Sequence, residues 1–265
     1  MKLNKKYENL FSVKNKVVVI TGGVGLIGQN LTAGFVQLGA KVYILDNNSD
    51  GAIKLISKLN NNSLVNFIKT DITNEMEIER AINQILSCEK KIETWINCAY
   101  PRTDDWGTEF EEVKYESWRK NVDMHLNSYF ICCQKIAKVM KKQKYGSIIN
   151  FGSIYGVVGP KFSIYEGTNM TMPVAYSAIK GGIVNLTRYL ATYLGKYNIR
   201  VNAICPGGIY DNQNSHFVNN YNANTPIGRM GRPDEMVGPA IFLASEASSY
   251  VTGHILMVDG GWTAQ

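Results

Sequence analysis

A phenol and an ammonium group stand four residues apart in Tyr176-Ser177-Ala178-Ile179-Lys180, downstream of a hydroxyl in Ile149-Asn150-Phe151-Gly152-Ser153. On a helix, side chains at i and i+4 share a face, so the Lys180 cation can stabilise a Tyr176 phenolate. An isolated tyrosine ionises near pH ~10, and a neighbouring positive charge brings it into use as acid and base near neutrality. Ser153 can then hold a substrate oxygen while Tyr176 gives or takes its proton. That is carbonyl/alcohol oxidoreductase chemistry, provided a redox cofactor lies beside it. With 15 Tyr and 28 Lys+Arg in the chain, such a pair also arises by chance on a solvated helix face, so the surrounding elements must decide.

Those elements alternate. Short apolar runs at Val17–Ile20, Lys41–Leu45, Val65–Ile68, Thr94–Ile96, Gly146–Asn150, Ile199–Ile204 and His254–Val258 read as strands. Helical spacing lies between most of them, notably through Trp118, Val122, Leu126, Phe130, Cys133, Ala137 and Met140, and through Ile183, Leu186, Leu190 and Leu194. Repeated β/α units of this kind take right-handed crossovers and bury both sheet faces, which predicts an α/β fold with a doubly wound, seven-stranded parallel sheet and helices on both faces. Ligands sit at the carboxyl ends of such strands. Thr21, Asp46, Asp71, Asn97, Ser153 and Pro206 all fall there, a convergence that outweighs any single motif.

The first strand runs into Thr21-Gly22-Gly23-Val24-Gly25-Leu26-Ile27-Gly28, followed by helical spacing at Leu31, Phe35 and Leu38. A glycine turn between strand and helix lets backbone N–H groups and the helix N-terminus approach a pyrophosphate. Asp46, ending the second strand, can bond both hydroxyls of an adenosine ribose and repel a 2′-phosphate, and Asn47-Asn48-Ser49 supplies no arginine for such a phosphate. NAD is therefore expected, with NADP less suited. Asp46 as a plain turn residue is the other reading.

Length and composition favour one domain over residues 1–265, with residues 1–14 as an N-terminal extension. Hydrophobic content of 45% with 19% charged residues is ordinary for a globular protein. No apolar run reaches the length of a membrane span, and the basic start Met1-Lys2-Leu3-Asn4-Lys5-Lys6 has no apolar stretch after it before Asn15, so a cytoplasmic protein is expected. Cys88, Cys98, Cys132, Cys133 and Cys205 lack paired metal-ligand spacing and read as reduced thiols, with neither disulfide nor metal site. The net charge of +6 is spread along the chain without a basic stripe interleaved with aromatics, so the expected partner is a small, often anionic, molecule rather than nucleic acid.

Together these residues resemble the short-chain dehydrogenase/reductase family over essentially the whole length. The matching pieces are Thr21 to Gly28, Asp71-Ile72, Asn97-Cys98-Ala99, Ser153, Tyr176 with Lys180, Asn202 to Gly208, and the tail from Arg229 to Gly261. The resemblance implies a Rossmann-type fold with Tyr176 as proton donor and acceptor, Ser153 orienting the carbonyl, and Lys180 tuning Tyr176 and holding the nicotinamide ribose. It also implies cofactor contacts from Gly22, Gly25, Leu26, Ile27, Gly28, Asp46, Asp71, Ile72, Asn97, Ala99, Pro206, Gly207 and Ile209. Relatives are often dimers or tetramers, and the final strand with Trp262 suits a subunit contact or ordinary core packing.

Three features depart from the family's single-domain branch. The glycine loop has the Thr-Gly-x-x-Gly-x-x-Gly spacing of the branch acting on nucleotide sugars, which keeps dehydration or epimerisation with bound NAD as an alternative; a non-catalytic dinucleotide-binding protein is another. His125 stands where the family has an asparagine, and reads either as a proton relay or as a helix histidine bonded to backbone. The segment from Ser153 to Tyr176 is longer than usual and reads as a substrate cover. With Asn97 to Arg102, that segment resembles the flagellin-modification and surface-glycan oxidoreductases of bacteria, which implies a sugar or sugar-phosphate substrate. Tyr100, Arg102, Ser153, Tyr155, Tyr165, Glu166 and Thr168 are its expected contacts.

Overall fold

The computed structural model describes residue 7 and residues 9–265. Seven parallel strands, β1 (Val17–Thr21), β2 (Lys41–Asp46), β3 (Val65–Lys69), β4 (Thr94–Asn97), β5 (Gly146–Phe151), β6 (Ile199–Pro206) and β7 (Ile255–Val258), form one sheet in the order β3-β2-β1-β4-β5-β6-β7. The helices are α1 (Gly28–Gln37), α2 (Ser49–Lys58), α3 (Glu75–Glu89), α4 (Tyr115–Asn121), α5 (Ser128–Gln143), α6 (Val174–Leu194), α7 (Ser215–Ala223) and α8 (Val237–Ala244). This is the expected doubly wound fold.

Strand alternation builds its two cores. Val17 and Val19 face one way, onto Ile78 and Ile85 of α3, Cys133 and Ile136 of α5 and Leu194 of α6. Val18 and Ile20 face the other, onto Leu31 and Phe35 of α1 and Ala240 and Leu243 of α8. Each fully buried Ile, Leu or Phe contributes roughly 1.5–3 kcal/mol, so the sheet is held from both sides. Because β1 pairs with both β2 and β4, the chain winds outward in opposite directions from β1. That reversal opens a crevice at the strands' carboxyl ends.

Two details bear on the site. Between α4 and α5, residues Val122–Asn127 form a π-helical turn that carries His125 inward. Of the expected extension 1–14, residues 1–6 and 8 lie outside the described residues, while Val13 is buried and the Leu10 carbonyl accepts from Ala247 N at 2.9 Å. Trp262 is buried too, stacked on Tyr221 at 4.5 Å between ring centroids, so its indole serves packing within the chain. Strand β7 remains half-buried at the sheet edge.

Candidate active site

A cleft of about 770 Å³ runs along the carboxyl ends of β1 to β4 and is lined by Gly22, Gly25, Leu26, Ile27, Gly28, Asp46, Asp71, Ile72 and Ala99. The glycines are required there. Gly22 has φ +68°, and a Cβ on it would lie 2.5 Å from the Ala99 Cα; a Cβ on Gly28 would lie 2.0 Å from the Gly22 carbonyl oxygen. The loop thus folds tightly under the N-terminus of α1; Gln29 N, Asn30 N and Leu31 N already donate to the Gly25 and Ile27 carbonyls, so it is the partial positive charge of the helix end that suits an anion. Asp46 braces this loop by accepting from Val24 N at 3.2 Å and Asn48 N at 3.0 Å, while lining the cleft. A nicotinamide dinucleotide fits such a cradle, which pairs a glycine turn suited to a pyrophosphate with a carboxylate suited to hydroxyls.

A second cavity, about 370 Å³, adjoins the first and shares Ile27, Cys98, Tyr100, Ile209 and Gln213 with it. Ser153, Tyr176, Lys180, Pro206 and Gly207 line this second space. Ser153 follows β5, Pro206 ends β6, and Tyr176 and Lys180 lie on the first turns of α6 behind Pro173. The Asn150 side chain helps to fix α6 to β5 by donating to Thr187 Oγ1 at 3.0 Å.

The electrostatics differ from the expected ammonium-acidified phenol. Burial raises the Tyr176 pKa above its ordinary value, with the Ser153 hydroxyl opposing the rise. Burial also lowers Lys180 to about 8. Its Nζ donates to the Phe151 carbonyl at 2.8 Å and sits 5.5 Å from the centre of the Tyr176 ring. Both groups are pushed toward their neutral forms because the wall excludes water. At neutral pH Tyr176 therefore carries its proton, ready to donate. Ser153 Oγ accepts from Tyr155 N at 3.2 Å, so its own hydrogen can turn either to the Tyr176 oxygen or to a substrate oxygen.

The family model described as "Enoyl-(Acyl carrier protein) reductase" matches residues 25–263. The chain is a short-chain dehydrogenase/reductase. It is 36% identical over 253 residues to the post-translational flagellin modification protein A of Campylobacter coli, covering 94% of this chain and 99% of that one. It is 31% identical to a probable galactose dehydrogenase of Rhizobium meliloti (strain 1021), covering 94% and 95%. A crystal structure of a short-chain dehydrogenase from Leptospira borgpetersenii with bound NAD+ superposes with a TM-score of 0.84 at 36% identity, covering 99% of this chain and 97% of that one. As a short-chain dehydrogenase/reductase, the protein is an NAD(P)-dependent oxidoreductase.

Not every residue singled out in the sequence of this dehydrogenase/reductase reaches the two cavities. Asn97 is buried in the sheet, accepting from Trp95 Nε1 at 2.8 Å and donating to Asn150 Oδ1 at 2.9 Å, so its amide is spent on structure. Glu166 is exposed outside both linings, and Thr168 donates to the Tyr165 carbonyl at 2.7 Å within its own turn. Tyr100 lines both spaces, Arg102 lies at the cofactor side with its guanidinium 4.9 Å from the Tyr100 ring centre, and Tyr155 and Tyr165 wall the smaller cavity. His125 is fully buried with neither ring nitrogen hydrogen-bonded among the described residues, so the backbone-bonded alternative does not hold. Sequence reasoning missed Gln213, Phe217, Tyr221 and Met230, which also line the smaller cavity. The i, i+4 spacing of Phe217 and Tyr221 signals a buried helix face, but not what that face meets.

Proposed function

We propose that this short-chain dehydrogenase/reductase transfers hydride between NAD(H) and an alcohol or ketone carbon of a sugar-like substrate, on a route to surface or flagellin glycans. The observation that carries the reading is that Ser153, Tyr176 and Lys180 line one cavity opening onto the glycine-loop cleft. When bound, the nicotinamide supplies or accepts the hydride. In the reducing direction Ser153 donates a hydrogen bond to the carbonyl oxygen and Tyr176 passes its phenolic proton to that oxygen. Lys180, held by the Phe151 carbonyl, keeps two further N–H donors for a ribose hydroxyl and, while protonated, favours the phenolate left behind. In the oxidising direction the same proton returns to Tyr176.

The preference for NAD over NADP rests on the Asp46 carboxylate, which would repel a 2′-phosphate where Asn47 and Asn48 offer no cation. The glycan setting and sugar-like substrate rest on similarity to the flagellin modification protein and the probable galactose dehydrogenase. A dimer or tetramer is part of the proposal, built on the half-buried β7 edge. Tyr176→Phe tests the chemistry. We expect kcat/KM for NADH-linked turnover to fall by roughly 10²–10⁴-fold, with NADH affinity retained; near-normal turnover overturns the assignment.

A further inference from the structure

Two unlike sets of side chains line the smaller cavity. Ser153, Tyr176 and Lys180 supply the reacting groups, and Lys180 is the sole charged side chain in the lining. Apart from them stand Ile154, Met170, Met172, Phe217 and Met230, whose side chains offer only carbon and sulfur. Three of these five are methionines, unbranched thioethers that adapt to the shape of an apolar guest. Met170 is 36% exposed, so the apolar lining reaches the protein surface.

The tyrosines packed with this wall add little polarity to it. Tyr155, Tyr165 and Tyr221 share one cluster with Ile154, Met172, Phe217 and Met230. The Tyr155 hydroxyl is sealed off beside the Tyr165 phenol, and the two perturb each other's ionisation. Tyr221 Oη accepts from Gly208 N, and the Tyr165 ring stacks on Phe217 with 5.3 Å between centroids. Gln213 is spent as well, its Nε2 donating to the Ile209 carbonyl and its Oε1 accepting from Asp211 N, both at 2.8 Å. Besides Ser153 the lining holds one alcohol, Thr171, half-buried next to Met170 in the chain. A substrate hydroxyl set against this wall gives up bonds to water and finds few in return, whereas a methyl or methylene set there gains by leaving water.

We infer that the wall formed by Met172, Phe217 and Met230 holds an apolar arm of the substrate, such as the methyl group of a deoxy sugar or a short acyl chain. This rests on the proposed hydride transfer at Ser153 and Tyr176, and adds a requirement that a fully hydroxylated sugar does not meet.

The test uses ketones that carry the arm without a sugar. NAD+-saturated protein is titrated calorimetrically with 2-butanone, 2-pentanone and 2-hexanone, complexes that cannot react because NAD+ has no hydride to give. We expect each added methylene to tighten binding by about 3–4-fold. We expect 4-hydroxy-2-butanone, which replaces the terminal methyl of 2-pentanone by a hydroxyl, to bind roughly tenfold more weakly than 2-pentanone. Met172→Gln should cut the gain per methylene to below about twofold, while NADH affinity, read by nicotinamide fluorescence, stays within about twofold of wild type. Binding that is absent or independent of chain length, a hydroxyketone that binds as well as 2-pentanone, or an undiminished gain in a Met172→Gln protein that still binds NADH each overturns the inference. Should that variant fail to bind NADH, the wild-type series decides. NADH oxidation by the same ketones separates this inference from the reading beneath it. The expected gain in binding with no NADH oxidation supports the apolar arm and counts against hydride transfer. NADH oxidation with binding and kcat/KM independent of chain length does the reverse.

Discussion

The cleft at the carboxyl ends of β1 to β4 is shaped largely by backbone, whereas the cavity beyond β5 and β6 is shaped by side chains on short turns and on α7. In the first, glycines let one peptide lie against another, and a missing Cβ is the functional feature. In the second, aromatic rings set the volume and phenols set the polarity. A backbone-built site tolerates many side chains nearby and serves one invariant ligand fragment. A side-chain-built site changes with each substitution, which suits it to discriminate among substrates on a common cofactor frame.

The sharpest way to break this contrast is Gly28→Ala. Its new Cβ would meet the Gly22 carbonyl oxygen at 2.0 Å, so the loop must move away from the pyrophosphate position. We expect NADH affinity to fall by about 100-fold or more, equivalent to roughly 2.7 kcal/mol, with a smaller change in thermal midpoint because the cores on both sheet faces are untouched. NADH fluorescence titration checks it. Affinity within threefold of wild type would mean that the cleft is not held by backbone fit.

A smaller effect is expected from Asp46→Ala, which changes a side chain within the backbone-built region. On the proposed preference for NAD, removing the carboxylate relieves repulsion of a 2′-phosphate; it also takes away the brace on Val24 N and Asn48 N. The ratio of kcat/KM for NADP(H) to that for NAD(H) should rise by about 10–100-fold, or roughly 1.4–2.7 kcal/mol. A parallel loss with both cofactors would assign Asp46 to the turn alone.

The same contrast explains what was legible in the sequence. Glycine spacing and strand ends are local, so Thr21 to Gly28 and Asp46 could be placed before any tertiary contact was known. The strands themselves follow the apolar runs closely, as Val17–Ile20 becoming Val17–Thr21 illustrates. Trp118, Val122 and Leu126 step by four, more than the 3.6 residues of an α-helical turn, and the π-helical turn at Val122–Asn127 takes up the difference. That signal was present but read as one regular helix. Glu166 and Thr168 lie between Ser153 and Tyr176 in sequence and so read as substrate contacts, yet neither lines a cavity: Glu166 is exposed, and Thr168 donates to the Tyr165 carbonyl. The roles of Phe217 and Tyr221 depend on where α7 is carried after β6, which no local pattern encodes. Nor could spacing reveal that Lys180 is tied to the Phe151 carbonyl, since that bond joins α6 to β5 through the fold.

His125 sits where the two regions meet, with its ring 5.3 Å from those of both Tyr100 and Tyr129 between centroids. Burial first, and the charge of Lys180 second, hold its pKa well below the ordinary 6.5. The folded protein therefore keeps the imidazole neutral while the unfolded chain takes up a proton near pH ~6.5. Since the unfolded state then binds more protons, stability is lost as pH falls below that value, by at most about 1.4 kcal/mol per pH unit for this residue. We expect urea unfolding of the wild type to weaken more between pH 6.5 and pH 5.5 than that of His125→Leu, because carboxylates that titrate further down contribute alike to both proteins. Parallel pH dependences would show that the imidazole is protonated equally in the folded and unfolded chains, and the histidine would then belong with the side-chain-built cavity rather than with the packing beneath it.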